Sequence, residues 1–360
     1  MKTKAQALVA IFAALLLLTS CHSGQTLRLL VGTYTESNAS EGVYLYEFNT
    51  GSCEAKLLDT VAAGNPSFVA ASPDRNFAYA VSEYGDGRQG VYSFRLADSS
   101  LDSLNFSGGA GADPCNILLA GGYIFTADYS GGSMSVYPLN ADGTVGEIAA
   151  QFAPDCSDGR VSHIHCAALS PDGKYVFITD LGRDAIHRVT LAEDGGVPEG
   201  FTTVFEFDPE KHPGPRHFIF SQDGRYAFLI GETGDYLSTF RYRKGGLKHI
   251  STQKAYAGEG LGSADIHLSP DGRFLYTSHR LREDGVSIFK VRGGKVENVG
   301  YCYTGIHPRN FTITPDGKLL LCACRDSGRI EIYKIDKKTG LLSATGKSIT
   351  LPAPVCIQIL

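Results

Sequence analysis

His165, Arg216, Glu232 and Arg280 are the residues of this chain whose types could together perform ester chemistry. An imidazole moves protons near neutral pH, a carboxylate does so or balances a cation, and guanidinium groups hold oxyanions and anionic substrates. They are far apart in sequence, so only a repeat could unite them. His165 and Asp180 are 15 residues apart, Arg216 and Glu232 16, Asp265 and Arg280 15, and Arg309 and Arg325 16. A near-constant offset suggests that each pair flanks the same two strands of one recurring unit.

The unit is marked by a turn. Ser72-Pro73-Asp74-Arg75, Ser170-Pro171-Asp172-Gly173, Ser221-Gln222-Asp223-Gly224, Ser269-Pro270-Asp271-Gly272 and Thr314-Pro315-Asp316-Gly317 are versions of it, with a shortened copy at Ala120-Gly121-Gly122. Proline presets φ, aspartate bonds its own backbone and glycine supplies positive φ. Successive copies fall 48, 50, 51, 48 and 45 residues apart, the length of a four-stranded propeller blade. Alternating apolar runs flank each turn, as in His217–Phe220 before it and Arg225–Ile230 after it. These are strands A and B; Val286–Lys290 and Ile330–Lys334 read as strand C, and a less regular strand D closes each unit.

Six turns make six blades. For a seventh, Leu27–Thr35 reads as strand B, Gly42–Phe48 as C and Lys56–Val61 as D, while Pro354–Leu360 supplies the missing A. The expected fold is therefore all-β, a seven-bladed β-propeller with ring closure by N- and C-terminal strands in one blade, which hides the terminal edges. Strand A climbs to the turn and strand B descends, so residues before A and after B share the opposite end. This gathers His165, Asp180, Arg216, Glu232, Asp265, Arg280 and Arg309 at one mouth of the central channel, with Tyr34 in the corresponding place of the shared blade. Such a rim suits an anionic substrate.

Plainer roles are also open to these residues. His165 could bond a backbone carbonyl, Arg216 and Glu232 could form a structural ion pair, Arg325 could be solvated and Asp180 could brace a turn. His163 and His165 share a strand face but have no third partner at metal-ligand spacing, so no metal is expected.

The chain resembles the lactonase seven-bladed propeller family, which includes 6-phosphogluconolactonases and a carboxymuconate-cyclising enzyme. The resemblance rests on Gly32-Thr33-Tyr34-Thr35, Tyr129–Ser133, His165 ahead of its turn, Asp180-Leu181-Gly182, Gly214-Pro215-Arg216-His217 with Glu232, Ala264–His267 through His279-Arg280, and Pro308–Phe311. It spans the mature chain in order. It departs at Gly231-Glu232, where the family has Asn before its glutamate, and at Ser278-His279-Arg280, where many members have Ser-Asn-Arg or Asp-Arg. It implies a site of His165, Arg216, Glu232, Arg280 and Arg309.

The resulting expectation is hydrolysis of a sugar-acid lactone of the 6-phosphogluconolactonase type. His165 or Glu232 is the base and Arg216 and Arg280 stabilise the oxyanion; Arg309, Asp180, Asp265 and Tyr34 contact substrate, and no cofactor is required. Carboxymuconate-type cyclisation and a non-enzymatic envelope binding propeller remain alternatives. Intact His165, Arg216, Glu232 and Arg280 favour an enzyme over a binding platform.

Composition fits this reading. The 42 glycines among 360 residues suit many tight turns, and the net charge of −5 argues against nucleic acid as a partner. The N-terminus carries Lys2 and Lys4, an apolar run from Ala7 to Leu18, and Leu18-Thr19-Ser20-Cys21. Residues 1–20 read as a signal peptide with a lipobox, Cys21 as the lipidation site, 21–26 as a tether and 27–360 as one domain. A monomer in the cell envelope is expected, anchored only by lipid and facing the periplasm; the alternative is the cytoplasm, as for typical family members. The other eight cysteines form no scaffold or zinc spacing, and most are expected to be buried free thiols.

Overall fold

The computed structural model describes residues 24–36, 40–256, 258 and 262–360. The segment read from the sequence as a signal peptide, and Cys21 with it, lies outside the described residues. Seven four-stranded antiparallel sheets form the ring. Six are consecutive in sequence, here blades 1 to 6, with inner strands Val69–Ala71, Pro114–Ala120, Ile164–Leu169, Pro215–Phe220, Ser263–Leu268 and Pro308–Ile313. Blade 7 joins the chain ends in the order Pro354–Ile359, Thr26–Thr33, Gly42–Asn49 and Glu54–Ala62.

The turn chemistry is realised as its composition requires. In five blades the Ser or Thr hydroxyl donates to the turn aspartate at 2.5–2.7 Å. Gly173, Gly224, Gly272 and Gly317 have φ of 66–68°, where a side chain would be strained. The alternating faces pack blade against blade. Leu29 and Val31 of blade 7, for example, lie in one buried cluster with Leu321, Ala323 and Ile332 of blade 6. Of the eight described cysteines, all are free; six are buried, Cys302 is half-buried and Cys156 is exposed.

Closure rests on Leu29–Thr33 pairing with Pro354–Ile359. Removing residues 354–360 opens the ring at a blade whose inner strand is almost wholly buried. The expected result is loss of the single cooperative thermal transition, checked by circular dichroism.

A second repeated device fixes the end opposite the turns. The residue after each B strand donates its N–H to the carbonyl of a residue just ahead of strand A: Tyr34 to Ala353, Glu83 to Asn65, Tyr129 to Asp113, Leu181 to His163, Glu232 to Gly214, Arg280 to Gly262 and Arg325 to His307. Two residues past each acceptor, the A strands of blades 2 to 6 carry a bulge. A bulge re-aims its side chain, and here it falls at Cys115, His165, Arg216 and Arg309, and in blade 5 at Ala264 and Asp265 together.

Candidate active site

The latch and the bulge together set the site. Glu232 lies between two arginines: Arg216 Nε donates to its Oε2 at 2.6 Å, and Arg280 Nη2 is 2.9 Å from its Oε1. Both guanidinium groups are almost fully buried. Arg216 Nη1 also donates to the Ala264 carbonyl at 2.5 Å, and Arg280 Nε donates to the Gly262 carbonyl at 3.0 Å. Alanine at 264 leaves that bulge without a long side chain beside Arg216. Burial alone would raise the Glu232 pKa, but Arg216, Arg280 and Arg309 outweigh it and hold it below the usual range.

His165 lies in the same group, with its ring 5.7 Å from Tyr129 and 5.3 Å from His217. Its Nδ1 is buried and has no hydrogen-bond partner among the described residues. Burial, then Arg216, His217, Arg309 and Arg280, depress its pKa well below the ordinary histidine value. The sequence suggested an unperturbed imidazole; the structure corrects this to one held neutral. His163 stacks on Tyr129 at 4.5 Å, with Nδ1 3.0 Å from the Tyr129 carbonyl.

Arg309 anchors a second cluster. Its guanidinium lies 5.3 Å from the centre of the Tyr34 ring and 3.8 Å from Glu83 Oε1. The Tyr34 hydroxyl donates to the same oxygen at 2.8 Å, while Glu83 Oε2 is buried with no hydrogen-bond partner among the described residues. Glu83 was not among the sequence candidates. Its signal was present, because it follows a B strand as Tyr34 and Glu232 do. Glu83→Gln removes the charge that steadies Arg309 and is expected to raise KM about tenfold with a smaller change in kcat, read from steady-state kinetics.

Two sequence candidates stand elsewhere. Asp180 is the last residue of its B strand, and the after-B place belongs to Leu181. A one-residue offset turns a side chain to the other face. Asp180 is fully buried and bonded by the Ser162 hydroxyl, the His163 and Arg183 N–H groups and His187. Asp265 shares the blade 5 bulge with Ala264 and sits one residue beyond the place that His165, Arg216 and Arg309 hold in theirs. It binds His217 Nδ1 at 2.7 Å, His267 Nε2 at 2.9 Å and Asn310 Nδ2 at 2.6 Å, beside a cavity of about 510 Å³ that all four residues line. Its action on the site is indirect: it takes the Nδ1 proton of His217, leaving Nε2 to accept from Arg216 Nη1 at 3.2 Å. Arg325 pairs with Asp326 at 2.6 Å and stays out of the cluster.

One end of the ring thus unites His165, Arg216, Glu232, Arg280, Arg309 and Tyr34, with Glu83, Cys115 and Tyr129 among them. Three guanidinium groups face two carboxylates and a neutral imidazole, an arrangement that receives an anion and stabilises developing negative charge.

Fold and site define a class, and the family model "Lactonase, 7-bladed beta-propeller" matches residues 28–359. The chain belongs to that family. It is 31% identical over 349 residues to a 6-phosphogluconolactonase of Formosa agariphila, covering 92% of this chain and 99% of that one. A solved structure of a putative 6-phosphogluconolactonase from Bacteroides fragilis is 41% identical, with a TM-score of 0.87 over 93% of this chain and 98% of that one. The periplasmic gluconolactonase of Pseudomonas aeruginosa is 29% identical, with a TM-score of 0.85 over 93% of this chain and 99% of that one.

Proposed function

We propose that this protein hydrolyses a sugar-acid lactone, with 6-phosphogluconolactone as the leading substrate, as a lipid-anchored enzyme of the cell envelope. The observation that carries the reading is the pairing of Arg216 and Arg280 with Glu232, and of Arg309 with Glu83, beside a neutral His165. Family membership and the names of the relatives support the reaction class. The basic and apolar segment ending at Cys21 supports export, as does the periplasmic designation of one relative.

Water adds to the lactone carbonyl, the tetrahedral oxyanion collapses, and the ring C–O bond breaks to give a hydroxy acid. His165 takes the proton from water and returns it to the leaving ring oxygen. Its low basicity comes first from burial and then from the neighbouring arginines, and negative charge on the substrate and the developing oxyanion counters the arginines. Glu232, held by two guanidinium groups, is a poor base; its role is to fix Arg216 and Arg280 toward the oxyanion. Arg309, set by Tyr34 and Glu83, holds the remote anionic group of the substrate.

A pH-stat assay on gluconolactone and its 6-phosphate tests this, because the acid formed releases a proton. Opening of at least one lactone well above the buffer rate is expected, and buffer-level rates for both would overturn the reading. The pH profile gives a second check. A depressed imidazole pKa keeps His165 in its base form as pH falls through 6.5, so kcat/KM should stay level from about pH 8 to pH 6 and fall only in more acid solution. A half-maximal point at an ordinary histidine pKa would contradict the burial of His165 in its arginine shell.

A further inference from the structure

The face of the ring opposite the candidate site has an uneven charge. The turns from strand A to B and the hairpins from C to D share that face. In three consecutive blades the hairpin tips are basic: Arg243 and Lys244 in blade 4, Arg292 and Lys295 in blade 5, Lys337 and Lys338 in blade 6. All six side chains are exposed. Among the described residues none of them forms an ion pair with a carboxylate, whereas the nearby Arg225, Arg273 and Lys318 are each taken up by their own turn aspartate. Blades 2 and 3 present acids at the same place, with Asp142, Glu193 and Asp194 exposed. The chain is acidic overall, so this crescent runs against its average.

An independent feature lies on the same face. The polypeptide enters the ring there: Gln25 accepts from Thr50 N–H at the C-to-D hairpin of blade 7, next to blade 6. Two residues, His22 and Ser23, separate Gly24 from Cys21, a reach of at most about 11 Å. A lipid on Cys21 would therefore hold this face, rather than the candidate site, against the bilayer.

We infer that the basic crescent of blades 4 to 6 is a docking surface for an anionic phospholipid bilayer, which sets the ring flat on the membrane with the site mouth turned away. The inference rests on the envelope reading of the N-terminus and adds an orientation to it. Basic side chains at a bilayer surface gain from its negative potential within about a Debye length. The hairpin tips supply that contact and the tether supplies proximity.

The test separates surface from anchor. Full-length protein carrying Cys21→Ser is sedimented with vesicles of equimolar phosphatidylglycerol and phosphatidylcholine, and with vesicles of phosphatidylcholine alone. At least tenfold stronger partitioning to the anionic vesicles is expected, lost in about 0.5 M salt. Adding Arg243→Glu, Lys295→Glu and Lys338→Glu should lower it at least tenfold while the melting temperature holds. Equal partitioning to both vesicles, or a triple variant that binds as before, overturns the surface. Metabolic palmitate labelling of the wild-type chain against Cys21→Ser reports on the anchor separately. An unlabelled chain whose Cys21→Ser form still prefers anionic vesicles refutes the anchor and leaves the surface standing.

Discussion

Arg216→Ala is expected to lower kcat/KM for the preferred lactone by about 10²- to 10³-fold, the usual cost of losing one oxyanion donor. The loss should fall on kcat, because the proposed mechanism puts Arg216 at the reacting carbonyl and Arg309 on the remote group. The side chain is nearly fully buried and reaches three partners, Glu232, the Ala264 carbonyl and His217. Lysine would not replace it, since a single ammonium cannot fork between Glu232 and Ala264. Steady-state kinetics on Arg216→Ala and Arg216→Lys checks this. Full activity in either variant would remove Arg216 from the mechanism.

Among single substitutions in the site, Glu232→Ala is expected to have the largest effect on stability. It leaves Arg216 and Arg280 buried with no carboxylate between them, and breaking a buried pair from one side costs about 3–5 kcal/mol. The lower end applies, because the Glu232 side chain is 26% exposed. Urea unfolding should show a lower midpoint with an unchanged slope. The pH dependence follows from linkage. Because the folded state holds the Glu232 pKa below its unfolded value, its contribution is complete above the ordinary carboxylate pKa, and it is lost as pH falls through the depressed value. Wild type and Glu232→Ala should therefore differ most near neutrality and converge in acid.

Much of this architecture is legible in sequence, because its determinants are local. A Ser-Pro-Asp-Gly turn encodes its own hydrogen bonds, and its recurrence counts the blades. Even the shared blade follows from the unpaired runs at 27–61 and 354–360. The bulges are not local in this way. Nothing in the alternation around Asp265 or Asp180 announces the offset, and each lies one residue from the place that Arg216 or Glu232 holds in blade 4. His165, Arg216 and Arg309 coincide with their bulges, so the same reasoning reached them. Glu83 was overlooked because blade 1 is the least regular: its inner strand is only Val69–Ala71, and its turn ends in Arg75 with φ of 60° where the other copies of that turn have glycine. The depressed basicity of His165 was also beyond sequence, since it comes from burial among arginines contributed by three other blades.

A double-mutant cycle on His165→Gln and Arg216→Ala, read as kcat/KM for lactone opening, tests the central claim most directly. If the two side chains serve one step in one cluster, the double variant should be little worse than the poorer single variant, as for groups that act as a unit. Losses that multiply independently, or a double variant that opens the lactone as fast as wild type, would contradict a shared site at the hub of the ring.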